Sequence, residues 1–136
     1  MGRRREPLEP RVMDVLFKRG SATVREVYEE LSRERSLSLT TVGTVLSRLY
    51  RKGFVDREFR TGRGGVYYVY RPKVSREEYE RSVARDAITK VVNALGRPGL
   101  VKLIEEGAVH LSPEELREIL RRIEEAKSAI GEGSPG

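Results

Sequence analysis

The stretch from Ser38 to Phe54, S-L-T-T-V-G-T-V-L-S-R-L-Y-R-K-G-F, constrains the chain more than any other. Val42, Val45, Leu46 and Leu49 fall at i, i+3, i+4 and i+7, which places four apolar side chains on one helical face. Thr40, Gly43, Thr44, Ser47, Arg48 and Arg51 occupy the other face, all small, polar or cationic. Ser38 is suited to cap the first turn, and Gly53 can adopt the left-handed conformation that ends the last. A helix with an apolar back and a Thr/Ser/Arg front is built to rest against an anion. The spacing predicts the recognition helix of a winged helix-turn-helix, with duplex DNA as its partner.

The flanking segments supply the rest of such a domain. Leu8 to Arg19 reads as a first helix with Leu8, Val12, Val15 and Leu16 as its buried stripe, ended by Gly20. Thr23 to about Glu34 reads as a second, opened by a Thr23/Glu26 capping box and striped by Val24, Val27, Tyr28 and Leu31. After Gly53 the pattern becomes extended. Phe54–Arg60 and Val66–Tyr70 are expected to pair as a two-stranded hairpin, or wing, across a flexible tip of residues 61–65. Arg57, Arg60 and Arg63 would then lie near phosphates flanking the groove. A Gly-rich tip is also compatible with a plain turn.

Charge divides the chain in the same place. The whole carries +6, but residues 1–73 hold 17 Lys/Arg against 9 Asp/Glu, a balance of +8, while residues 74–136 hold 10 against 12, a balance of −2. An anion-binding first half and a second half with a different task follow from this asymmetry. Arg3, Arg4 and Arg5 read first as a solvated terminus and second as an arm for a phosphate backbone or minor groove.

From Ser75, a capping box with Glu78 opens a helix of about 20 residues. Tyr79, Val83, Ala87, Ile88, Val91, Val92 and Leu95 recur along it every three to four residues up to Gly96. Arg97-Pro98-Gly99 is expected to break it, and a short apolar piece (Leu100, Val101, Leu103, Ile104) follows to Gly107. Ser112 and Glu115 form a third capping box, with Pro113 at the first helical position and Leu116, Ile119, Leu120 and Ile123 behind it to about Ala129. Apolar helix faces with no sheet to pack on are satisfied by a second copy of the chain. We therefore expect Tyr79, Val83, Ala87, Ile88, Val91, Leu95, Leu116, Ile119, Leu120 and Ile123 to form a homodimer seam; a monomer folded back on its own wing domain is the alternative. The expected divisions are a flexible basic arm (1–7), a winged-helix domain (8–73), a helical dimerisation domain (74–130) and a disordered tail (131–136).

Composition excludes several chemistries. The chain has no Cys, hence no disulfide, thiolate metal site or cysteine nucleophile, and His110 is its single His. The G-x-x-x-x-G-K-[ST] pattern is absent. No catalytic constellation, metal or other cofactor is expected, and the chain does not read as an enzyme. No apolar run is long enough to span a bilayer and the Arg-rich start is not followed by an apolar h-region. A cytoplasmic protein without a membrane partner is the expectation.

Positions 40–55 (T-T-V-G-T-V-L-S-R-L-Y-R-K-G-F-V) resemble the penicillinase-repressor (BlaI/MecI/CopY-type) family of winged-helix transcriptional regulators. The resemblance continues through G-R-G-G-V-Y-Y-V-Y-R-P (62–72), S-R-E-E (75–78) and L-S-P-E-E-L-R-E-I-L (111–120), roughly residues 8–125 in all. It implies a mainly α winged helix-turn-helix followed by a C-terminal helical dimerisation region. It also implies a homodimer that represses transcription from an inverted-repeat operator. Thr40, Thr41 and Thr44 match groove-facing positions of the family, Arg48, Arg51 and Lys52 its basic positions, and Arg63 its wing. With Ser47, Arg57 and Arg60 these form the expected DNA-binding set. Gly43 departs from members with a long side chain there; it either lets the helix approach DNA closely or is a tolerated helical glycine. No Asn-Phe bond is present for the cleavage that induces β-lactam-responsive members, and no terminal Cys cluster for copper sensing. Neither inducer transfers, so the releasing signal stays open. The reading outside this class is a winged-helix protein-interaction module, which would want an acidic or apolar recognition face instead.

Overall fold

Helix α1 (Leu8–Arg19) opens a chain described, in a computed structural model, over residues 6–133. The Arg3–Arg5 arm and residues 134–136 of the expected tail lie outside the described residues. Val12, Met13, Val15 and Leu16 are the buried residues of α1, and Gly20 closes it with φ 86°. A two-residue strand β1 (Ala22–Thr23) leads into α2 (Val24–Leu31), where Thr23 and Glu26 exchange both bonds of the capping box. Helix α2 stops at Leu31 rather than about Glu34, because the apolar stripe ends there. The Glu34 and Arg35 N–H groups both close on the Leu31 carbonyl.

Helix α3 spans Leu39–Lys52. Ser38 Oγ accepts from Thr41 N at 3.1 Å, and Gly53 takes the left-handed conformation at φ 85°, ψ 14°. Val42, Val45, Leu46 and Leu49 are its buried residues, the four that the spacing selects. The chain then forms β2 (Val55–Gly62) and β3 (Gly65–Pro72), an antiparallel hairpin in register from Val55↔Pro72 to Gly62↔Gly65. The sheet has three strands, not two: β1 pairs with the other edge of β3 through Ala22↔Tyr70 and Thr23↔Val69, giving the order β1-β3-β2. This is a winged helix-turn-helix. Its core draws Val12, Leu16, Val27, Leu31, Leu46, Leu49, Val55 and Tyr70 from all of these elements except β1, whose Ala22 also joins it.

Helix α4 (Arg76–Ala108) begins with the expected Ser75/Glu78 capping box. One correction concerns Tyr79. The periodicity assigns it to the dimer seam, but it is only 4% exposed and belongs to the winged-helix core, between Phe17 and Phe54. The chain divides into two compact units between Val83 and Ala84, so the first two turns of α4 belong to the head.

In the second unit the break falls at Gly96, with φ 72° and ψ −172°, a backbone region open essentially to glycine alone. Arg97-Pro98-Gly99 is helical, the proline lying in the first turn after the break, where its missing N–H costs nothing. The third capping box, Ser112 with Glu115, opens α5 (Pro113–Gly133), which continues past the expected end near Ala129. Among the described residues, none of the apolar side chains of this unit is buried: Leu95, Ile104 and Leu120 are 59–68% exposed. No helix among the described residues is long and apolar enough to cross a membrane.

Candidate nucleic-acid interface

Burying the Val/Leu stripe of α3 in the head leaves its polar face outward. Thr40, Thr41, Thr44, Arg48 and Arg51 are exposed along one side of the helix, and Ser47 is half-buried among them. The Thr41 hydroxyl also lies 2.9 Å from Ser38 Oγ, so it takes part in the cap. Thr44 and Thr40 have no such tie among the described residues. Threonine offers both a hydroxyl for base edges and a methyl for a thymine methyl, and arginine can bridge guanine or grip phosphate.

Gly43 turns toward α2. A Cβ placed on it would lie 3.9 Å from Val24 Cγ1, an ordinary contact, so neighbouring atoms leave room for a methyl group.

The cations of the expected set fall into two groups. Arg48 and Arg51 on α3, and Arg63 at the hairpin tip, are exposed and form no ion pair among the described residues. The other three are engaged by the protein. Arg60 donates to Glu58 at 3.0 Å, and the same carboxylate oxygen accepts from Arg71 at 3.0 Å. Arg60, with Arg71, holds the Glu58 carboxyl below the usual carboxylate range. Arg57 is half-buried, its guanidinium carbon 4.0 Å from the Tyr50 ring centroid and 4.1 Å from that of Tyr68. Such cation–π contacts are worth about 0.5–1 kcal/mol each near a surface, and they fix the wing against the end of α3. Lys52 forms a 3.0 Å ion pair with Glu9 of α1.

These partners were not equally hidden in the sequence. Glu58 and Arg60 are two apart in a strand and so share a face, which period-two reasoning alone exposes. Tyr50 with Arg57 meets across the turn at Gly53, and Glu9 with Lys52 meets across most of the head. Neither has a local signature.

Taken together, the head presents a helix of outward threonines and of arginines without an ion pair among the described residues, beside a hairpin whose tip carries one more. Such an arrangement matches a helix laid in a groove between two phosphate ridges.

Comparison with known proteins gives concordant matches. Residues 6–125 match the family described as "Penicillinase repressor". The chain is 28% identical over 120 residues to the penicillinase repressor of Bacillus licheniformis, covering 88% of this chain and 89% of that one. It is 33% identical over 130 residues to the transcriptional regulator BlaI of Mycobacterium tuberculosis, covering 94% and 88%. Similar solved structures include the DNA-binding domain of the repressor BlaI, at 32% identity and a TM-score of 0.44, covering 56% of this chain and 90% of that one. The CopR repressor is similar at 35% identity and a TM-score of 0.41, covering 55% and 100%.

Proposed function

Because this chain belongs to the penicillinase repressor family, we propose that it is a cytoplasmic transcriptional repressor that binds an inverted-repeat operator in duplex DNA as a homodimer. The observation that carries this reading is the outward face of α3, where Thr40, Thr44, Arg48 and Arg51 are exposed over a fully buried apolar back. Thr40, Thr41, Thr44 and Ser47 face base edges, Arg48 divides its time between guanine and phosphate, and Arg51 and Arg63 hold the backbone. Arg57 and Arg60 act from within the wing, as braces that set where Arg63 stands.

The dimer is supported by the second unit, whose apolar side chains have no cover of their own. Ile88, Leu95, Ile119, Leu120 and Ile123 are all at least 39% exposed, and so is Val83, the last residue of the first unit. Seating them against a second copy removes that surface from water and sets two heads on one duplex, with half-sites spaced by whole helical turns, about 34–36 Å each.

Selection from a pool of random-sequence duplexes tests the reading. Enrichment of an inverted repeat is the expected result. A chain that enriches no sequence, yet captures a partner protein through the same face, would instead be an interaction module.

A further inference from the structure

Glu9 stands where three elements of the head meet. It lies in the first turn of α1 and its side chain is 20% exposed. One carboxylate oxygen accepts from Lys52 Nζ at 3.0 Å, the last residue of α3. The other accepts from the Tyr79 hydroxyl at 3.3 Å, in the first turns of α4. Tyr79 is itself fixed by packing. Its ring meets Phe54 edge-on at 5.0 Å between centroids and Phe17 at 6.3 Å, and Arg76, one turn earlier, reaches Asp14 at 2.6 Å. Burial and the neighbouring Glu9 charge push the Tyr79 hydroxyl above its ordinary range, so it remains a donor at every physiological pH.

Lys52 is a basic residue at the end of a DNA-facing helix whose charge is already matched inside the protein. The Lys52 side chain is 46% exposed, but the Glu9 carboxylate it meets is only 20% exposed, and a charge partly withdrawn from water is screened by salt less than one at an open surface. Moving Lys52 to a phosphate would leave Glu9 mostly buried with Tyr79 alone. On the reading given above, which this inference rests on, we propose that Glu9 is a positioning residue that acts through Lys52 and sets how many phosphates the head neutralises. Held in place by Tyr79, it keeps the ammonium on the protein and off the phosphate backbone. The head thereby gives up one sequence-independent contact, which lowers its affinity for every duplex by the same factor.

The number of phosphates neutralised is read directly from salt dependence, since log K falls against log[salt] by about 0.9 per phosphate on B-DNA. The test measures affinity for a mixed-sequence duplex and for a selected operator duplex across 50–200 mM salt, with full-length protein. Glu9→Gln is expected to steepen the slope by about 0.9 per head, which at 50 mM relative to 200 mM is a gain of about three- to four-fold per head. The ratio of operator to mixed-sequence affinity should stay within about two-fold, because a phosphate contact adds equally to both. Lys52→Gln alone should leave the slope where it was, and Glu9→Gln with Lys52→Gln should return it there.

A purely structural tie would lower the melting temperature of Glu9→Gln and leave its slope untouched, and that result overturns the proposal. So does a flatter slope for Lys52→Gln alone, which would put Lys52 on a phosphate in the unaltered protein. Should Glu9→Gln fail to fold, Lys52→Gln still decides. Salt-independent binding by the unaltered chain would overturn the DNA reading as well, whereas salt-dependent binding with equal slopes for the unaltered chain and Glu9→Gln overturns this proposal alone.

Discussion

Gly43 separates two ideas that the sequence leaves entangled. A glycine in the middle of a recognition helix suggests close approach to DNA, but the space beside it faces Val24 and is large enough for a methyl group. Gly43→Ala should therefore stabilise the head by about 0.5–1 kcal/mol, the ordinary helix-propensity difference. Thermal melting reads this as a rise of a few degrees, with operator affinity within about two-fold of the original. A large loss of affinity would mean that the groove wall passes over that position. Carboxylates set the acid limit of the fold. Lys18 donates to Glu30 at 2.8 Å and the Ser75 N–H donates to Glu78 at 2.9 Å, and both acids titrate below their usual 4.5. A folded-state value below the unfolded one contributes stability above the unfolded value and loses it as pH falls through the folded one. Denaturant midpoints should thus stay level from about pH 7 to about 5 and decline below about 4.5. Midpoints that rise on acidification would contradict the assignment.

Elements were legible where local chemistry and periodicity agree. Ser38, Gly53 and the Val42–Leu49 stripe define α3 from both ends and from its back, and the three capping boxes open α2, α4 and α5 where the Thr/Ser and Glu spacing places them. Strand β1 was not legible, because two residues carry no period and Ala22–Thr23 are extended only through pairing with β3. Tyr79 has the right spacing for the seam, but periodicity reports a buried face without saying what buries it. The break in α4 was displaced by one signal outweighing another: Pro98 fits a helix start, and the residue that leaves helical geometry is Gly96. Two substitutions follow. Ser38→Ala removes the bond to Thr41 N and should cost about 1 kcal/mol, seen as a lower melting temperature of the head. At Gly99 an added Cβ would stand 2.3 Å from Leu95 Cβ, so Gly99→Ala must shift the backbone after the break. Circular dichroism should show lost helicity in that variant, whereas unchanged helicity and melting would argue for a different local packing.

For the whole molecule, the charge asymmetry and the uncovered apolar faces support the proposed division of labour, in which the first unit grips DNA and the second meets its own copy. Solution mass should be twice the 15.5 kDa of one chain. Leu120→Lys with Ile123→Lys should give monomers whose heads still fold but whose operator affinity drops by about 10²–10⁴, the range expected when two linked sites become one. A monodisperse monomer of the unaltered chain would refute the seam. The most direct test of the central claim maps backbone amide shifts on adding a selected operator duplex to the labelled protein. The account predicts the largest shifts at Thr40, Thr44, Arg48, Arg51 and Arg63, with the buried face of α3 and the whole of α5 little changed. Shifts confined to the second unit, or none on α3, would contradict it.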